Sequence, residues 1–283
     1  MAEEKDLVHI LRLLDDESAS VRDRVWEALE TNLPAWESGI RARLEDMPPA
    51  QRKRVRDLLD QRSRQEFRLA WGRWRKAGDA AVQLENALSS LSDYLAGRPS
   101  QEGQTAPGGS RLTPLLDALA GEFRKTRSDI RPTSLARFLF VEKGLGGAAA
   151  DYFDPGNSDL VRVLENGRGV PISLACVFIL TGHRLGLAIA GCDVPEHFLT
   201  RASEAGEEVI IDCCDRGSVL GRDRLGQLEL KYAPDFFRLL RAPASTEAIV
   251  ARILRNLINA YHLSGNRPAG EFMRGLAEDL RGV

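Results

Sequence analysis

Residues 151–187 read D-Y-F-D-P-G-N-S-D-L-V-R-V-L-E-N-G-R-G-V-P-I-S-L-A-C-V-F-I-L-T-G-H-R-L-G-L. The same stretch runs on through G-C-D-V-P-E-H-F-L-T-R (191–201) and E-V-I-I-D-C-C-D (208–215). Turn, helix, glycine turn, helix and strands follow one another with little slack. Asn157 and Ser158 can each accept a bond from free helix amides, which announces a helix, and Gly167 is placed to end it. Gly169 and Pro171 make the next turn; proline suits the first position of a helix because its missing N–H would be unbonded there. Leu174, Val177, Phe178, Thr181 and Leu185 recur at helical spacing, so the second helix is expected to be mostly buried. Ala188–Cys192, His197–Arg201 and Glu208–Cys213 alternate or run apolar over short lengths, as strands do, with turns at Gly206 and Gly217. Polar residues of chemical capacity, His197 and Asp212, fall at the ends of these elements.

Working outward, the chain has 283 residues, enough for one large domain and a smaller one. Its 39 basic and 41 acidic residues nearly balance, so no global field draws it to nucleic acid or an anionic membrane. No apolar run reaches transmembrane length, and the acidic M-A-E-E-K-D start lacks the pattern of a secretory signal. All four cysteines (Cys176, Cys192, Cys213 and Cys214) lie in the central stretch. Without an export signal they are expected to be reduced thiols in a cytoplasmic protein.

N-terminal to the stretch the pattern is helical. Leu7, Ile10, Leu11 and Leu14 form one stripe, Val21, Val25, Ala28 and Leu29 a second, and Leu33, Trp36, Ile40 and Leu44 a third. Met47-Pro48-Pro49 marks a boundary, because the residue before a proline avoids the helical region. This gives an expected division into residues 1–47 and 48–283, the latter with its core at 151–220. Residues 50–76 are helical and basic, with Arg52, Lys53, Arg54, Arg56 and Arg62 among ten cationic side chains. Such a face suits RNA, DNA or an acidic partner, or is simply a solvated helix with Trp71 and Trp74 in the core. Another helix opens at Gly78-Asp79. Residues 97–111 show no apolar periodicity and read as a flexible loop. Helices resume at Leu112–Thr126 and Thr133–Glu142, and the C-terminal part is helical around Ile249–Tyr261 and Phe272–Leu280.

Two resemblances rest on these residues. L-L-D-D-E-S-A-S-V-R-D-R-V-W-E-A-L (13–29) resembles a HEAT-type helical repeat, a unit that stabilises by stacking on neighbours. A helix followed by strands carrying His197 and then Asp212 resembles the transglutaminase-like superfamily, related in fold to papain-like cysteine proteases. More closely, Y-F-D-P-G-N-S-D-L-V-R-V-L, G-V-P-I-S-L-A, P-E-H-F-L and I-I-D are similar to motifs of its SirB-type branch, and A-R-I-L-R-N-L is similar to that branch's R-x-L-x-N-L. The fold class that follows is α+β, mainly α: a HEAT-like helical region, then a transglutaminase-like core with a small antiparallel sheet and C-terminal helices.

The resemblance implies a thiol at the start of the long helix, a histidine base and an orienting aspartate. His197 and Asp212 match the last two roles. The nucleophile position is occupied by Val170-Pro171-Ile172-Ser173, which holds no cysteine. Ser173 is the available hydroxyl, with capping of the first turn as its structural alternative, and Cys176 reads as a buried hydrophobe. Glu196 replaces the branch's glycine before the histidine, and Cys213-Cys214 replaces its Pro-Phe. Cys192, Cys213, Cys214 and His197 match no recognised zinc spacing, so neither metal nor cofactor is expected. Asp154, Asn157, Ser158, Arg168, Gly169 and Pro171 are expected to fix the loops or line a groove beside His197. The expected function is a non-catalytic interaction or regulatory module with a protein or peptide in that groove, with nucleic acid and membrane as unlikely partners. The alternative is a hydrolase or acyl transferase with a displaced nucleophile.

Overall fold

A computed structural model describes residues 2–97, 110–149, 151–195, 197–232 and 235–280. The chain divides into two compact units, Met1–Phe67 and Arg68–Val283. The break at Met47-Pro48 therefore lies inside the first unit, between two of its helices. Most of the loop expected at 97–111 lies outside the described residues.

The first unit is built on α1 (Ala2–Arg12), α2 (Ala19–Arg43) and the start of α3 (Pro49–Ala70). The second and third expected helices are one: α2 runs on through Pro34. Val25, Leu29, Leu33, Trp36 and Ile40 form an unbroken buried stripe along it, and they join Leu7, Leu14, Met47, Val55 and Leu59 in one core. Pro34 is exposed, so the backbone bond it removes is lost on the wet side of the helix, while burial of the stripe holds both halves in line.

The second unit is α+β and mainly α. Asp79 accepts bonds from the amides of Ala81 and Val82 and so caps α4 (Ala80–Leu95). There follow α5 (Leu112–Thr126), α6 (Pro132–Arg137) with a π-helical turn at Phe138–Glu142, and the two-residue strand β1 (Gly146–Gly147). Then come α7 (Leu160–Asn166), β2 (Arg168–Gly169), which pairs in parallel with β1, and α8 (Pro171–Arg184). The antiparallel sheet has β3 (Ile189–Val194), β4 (His197–Glu204), β5 (Glu207–Asp212) and β6 (Ser218–Val219) in that order. Ala205 and Gly206, both at positive φ, make the two-residue turn of the β4–β5 hairpin, the sense of turn that matches strand twist. Four helices close the chain: α9 (Arg222–Tyr232), α10 (Phe236–Arg241), α11 (Thr246–Leu263) and α12 (Arg267–Asp279).

Pairing register sorts the side chains of the sheet onto two faces. Cys192 lies opposite Leu199, Val194 opposite His197 and Arg201 opposite Ile210, so these share one face. Cys192, Val194, Leu199 and Ile210 pack there with Leu228 of α9 and Phe236 and Leu240 of α10. The other face carries Phe198, Thr200 and Ile211 and lies under α8, eleven of whose residues, Ile172–Gly182, are buried. The helix comes close: a Cβ on Gly182 would stand 2.5 Å from Ile189 Cδ1. Arg184 at the far end of α8 is tied to Glu85 (2.7 Å) of α4 and Asp117 (2.6 Å) of α5.

Candidate functional site

Pro171 is the first residue of α8 and Val170 its cap residue, which makes no side-chain capping bond. Ser173 follows in the first turn and is fully buried, and among the described residues its hydroxyl has no hydrogen-bond partner. It therefore neither caps the helix nor meets a base. Cys176, in the next turn, is fully buried, and burial pushes its thiol far above the ordinary range.

His197 and Asp212 lie at the same end of the sheet. Extended by one pair, the β4–β5 register sets Asp212 opposite Leu199, on the face that also carries His197. That face is turned away from α8 and toward α9, where the imidazole meets Tyr232 edge-on with ring centroids 6.0 Å apart. The Asp212 carboxylate is committed locally: Oδ1 accepts from the amides of Cys214 (2.9 Å) and Asp215 (3.1 Å), which shapes the turn after β5. Among the described residues no hydrogen bond joins it to His197. Both residues are half-buried. His197 and Asp212 thus share a face and an end of the sheet, and Ser173 belongs to the helix on the other side.

Sequence reasoning missed Arg252 of α11 as part of this region. Its guanidinium donates to the Val194 carbonyl (2.9 Å), pairs with the Asp193 carboxylate and lies 5.5 Å from the Phe198 ring centroid. It thereby clamps both sides of the hairpin that brings the chain to His197. Its place in A-R-I-L-R-N-L was the available signal, because a cation in an apolar helix needs a partner. Glu196 lies outside the described residues.

The turn before α7 is self-contained. Asp154 accepts from the Gly156 amide (2.6 Å), and Asn157 Nδ2 donates to the carbonyls of Asp151 (2.5 Å) and Tyr152 (3.3 Å). Asn157 and Ser158 belong to a 3-10 turn, and the residue that caps α7 is Asp159, which accepts from the Val161 amide. Asp159 wins because it immediately precedes the first helical residue in extended backbone. Gly167 ends the helix at φ 71°. The Asn157 carbonyl accepts from the Val170 amide (3.1 Å), so this turn abuts the start of α8. Arg168 donates to the carbonyls of Gly144 and Gly167, and Gly169 sits so close to Val163 that a Cβ would be 3.0 Å from it. Gly147 is equally constrained: a Cβ there would stand 2.7 Å from Cys214 Sγ.

The remaining thiols are acid-weakened as well. Burial pushes Cys192 up to about 11 and Cys213 higher still. Cys214 is raised by burial and by the carboxylates of Asp212 and Asp215. Thiolate, the reactive form, is thus disfavoured at every cysteine. Among the described residues, no three His, Cys, Asp or Glu side chains gather as a metal site. No helix among them is long and apolar enough to cross a membrane.

The sequence profile of the transglutaminase-like superfamily matches residues 111–255, just over half of the chain. The chain belongs to the transglutaminase-like superfamily. A UPF0162 protein of Xylella fastidiosa strain Temecula1 is 34% identical over 138 residues, which is 47% of this chain and 49% of that protein. Those of Vibrio cholerae and Haemophilus influenzae are 34% identical over 74 residues and 27% identical over 128 residues. They match 26% and 42% of this chain, and 27% and 48% of their own lengths. The chain thus spans about half the length or less of the curated relatives it matches. No solved structure matches it.

Proposed function

We propose that the chain is a non-catalytic member of its superfamily, of the SirB-type branch, that binds a protein or peptide through the surface around His197 and Asp212. One observation carries the reading: base and hydroxyl belong to opposite sides of the sheet. Acyl transfer needs nucleophile and base within hydrogen-bond reach, about 3 Å, and among the described residues the Ser173 hydroxyl has no hydrogen-bond partner. Weak acidity of all four thiols supports the same conclusion, since a catalytic cysteine needs a depressed pKa. The first unit, with its helix, acidic turn and helix, is proposed to descend from a HEAT-type repeat and to offer a second contact surface. A protein partner fits better than nucleic acid because the basic side chains of α3 are largely engaged. Arg52 and Arg56 pair with Glu45, Arg62 with Glu37, and Arg54 stacks on Trp26. A cytoplasmic site of action completes the proposal.

The deciding experiment labels the native protein with iodoacetamide across pH and assigns each cysteine by mass spectrometry. Slow labelling of all four, with no plateau below pH 9, is expected. A single fast cysteine, slowed by His197→Ala, would restore the enzyme reading. In parallel, a photo-crosslinking amino acid at Tyr232 should capture a discrete partner in cells, and His197→Ala should abolish the adduct.

A further inference from the structure

The turn Asp151–Asp154 presents two neighbouring aromatic rings to solvent. Tyr152 is 44% exposed and Phe153 54% exposed, and the rings meet edge-to-face with centroids 5.2 Å apart. The backbone beneath them is fixed. The Asp154 amide donates to the Asp151 carbonyl (2.9 Å), Asn157 holds the carbonyls of Asp151 and Tyr152, and Pro155 locks the exit. The Asn157 carbonyl in turn accepts from Val170 at the start of α8. A rigid turn holding two aromatic side chains out of the core has met the ordering cost of a binding surface in advance.

Its flanks set the chemistry of the partner. Asp151 and Asp154 are both exposed beside the rings. Arg162 stands 3.7 Å from Asp154, whereas Asp151 has no ion-pair partner among the described residues. A purely apolar partner would cover the Asp151 carboxylate unpaired, which is unfavourable. A guanidinium satisfies both elements, because its plane stacks on an aromatic face and its edge pairs with a carboxylate. We propose that the Tyr152–Phe153 turn is a docking surface for an arginine-containing segment of a partner protein, separate from the His197 surface.

The test uses the full chain and a fluorescent peptide of alternating arginine and glycine, read by anisotropy at low and high salt. Salt-sensitive binding is expected, weakened at least about tenfold by Tyr152→Ala with Phe153→Ala and more modestly by Asp151→Asn. The matching lysine–glycine peptide should bind more weakly. Because the rings are exposed, thermal melting of the variants should match that of the parent; should the double variant misfold, Asp151→Asn and Tyr152→Leu carry the test. Absence of binding, or binding indifferent to these substitutions, overturns the proposal. So does equal binding of a leucine–glycine peptide, which would mark an apolar partner. A concentration-dependent dimer lost in the double variant would assign the turn to a second copy of this chain instead. His197→Ala should leave peptide affinity unchanged; an equal loss there would place the peptide on the other surface and end the claim of a separate one.

Discussion

The two sides of the β3–β6 sheet are built differently. Under α8 everything is sealed: eleven consecutive residues of that helix are buried, and it lies so close to the sheet that a Cβ on Gly182 would press on the Ile189 side chain. Over the opposite face, α9 contributes a single buried side chain, Leu228, in eleven residues, and leaves Leu230 86% exposed. The difference teaches where this molecule can respond. Few buried contacts mean a low free energy of local opening for α9 itself, the helix whose Tyr232 meets His197. At the start of α8, Val170, Ile172 and Ser173 are all buried.

The contrast can be broken most strongly at Phe178, fully buried on the α8 side. Phe178→Ala should cost about 3–5 kcal/mol in urea unfolding. Leu228→Ala should fall at or below the low end of the leucine range, about 2 kcal/mol, and in hydrogen exchange it should expose the amides of α9 before those of α8. Equal exchange in both helices would erase the distinction.

Alkaline pH sharpens the comparison next. Cys192 is pushed up to about 11 from an ordinary value near 9. The unfolded chain therefore loses this proton first, so stability is intact below pH 9 and falls as pH rises through 11. The slope is about 1.4 kcal/mol per pH unit for each such thiol. Cys192→Ala should flatten that part of the profile, at the expense of a small cavity. A profile unchanged by the substitution would show that the thiol is not sealed.

Arg252 comes next. Arg252→Met removes the donor to Val194 and the counter-charge of Asp193, and should cost about 2 kcal/mol. It should also shift the resonances of His197, which the clamped hairpin positions. Smallest is His197→Ala itself, expected within about 1 kcal/mol in thermal melts because the imidazole is half-buried and bonded to neither Asp212 nor Ser173. Global unfolding of that variant would make His197 a core residue.

Much of the fold was legible where one residue type has one backbone meaning. Gly167 at positive φ, Pro171 at the first helical position and the positive-φ glycines at 206 and 217 all stand where the sequence predicts. The strands were legible from their short apolar alternation, with boundaries off by a few residues. What escaped were matters of competition and of facing. Asn157 and Ser158 were the expected caps of α7, and Asp159 takes that role. The stripes at Val21–Leu29 and Leu33–Leu44 were read as two helices, and one continuous buried stripe running through Pro34 joins them. Helix α9 also went unread, although Leu225, Leu228 and Tyr232 stand at helical spacing and pack on one cluster. The site was half legible: His197 and Asp212 are brought to one end of the sheet, but which face they occupy depends on register, which a single strand does not encode.

Gly147 and Cys214 carry one more consequence. A methyl group at position 147 would stand 2.7 Å from Cys214 Sγ, so the two positions are not free to vary independently. Ala at 147 is tolerable only after the sulfur has been replaced by something smaller or has turned away. The two changes made together are thus expected to cost less than the sum of each alone.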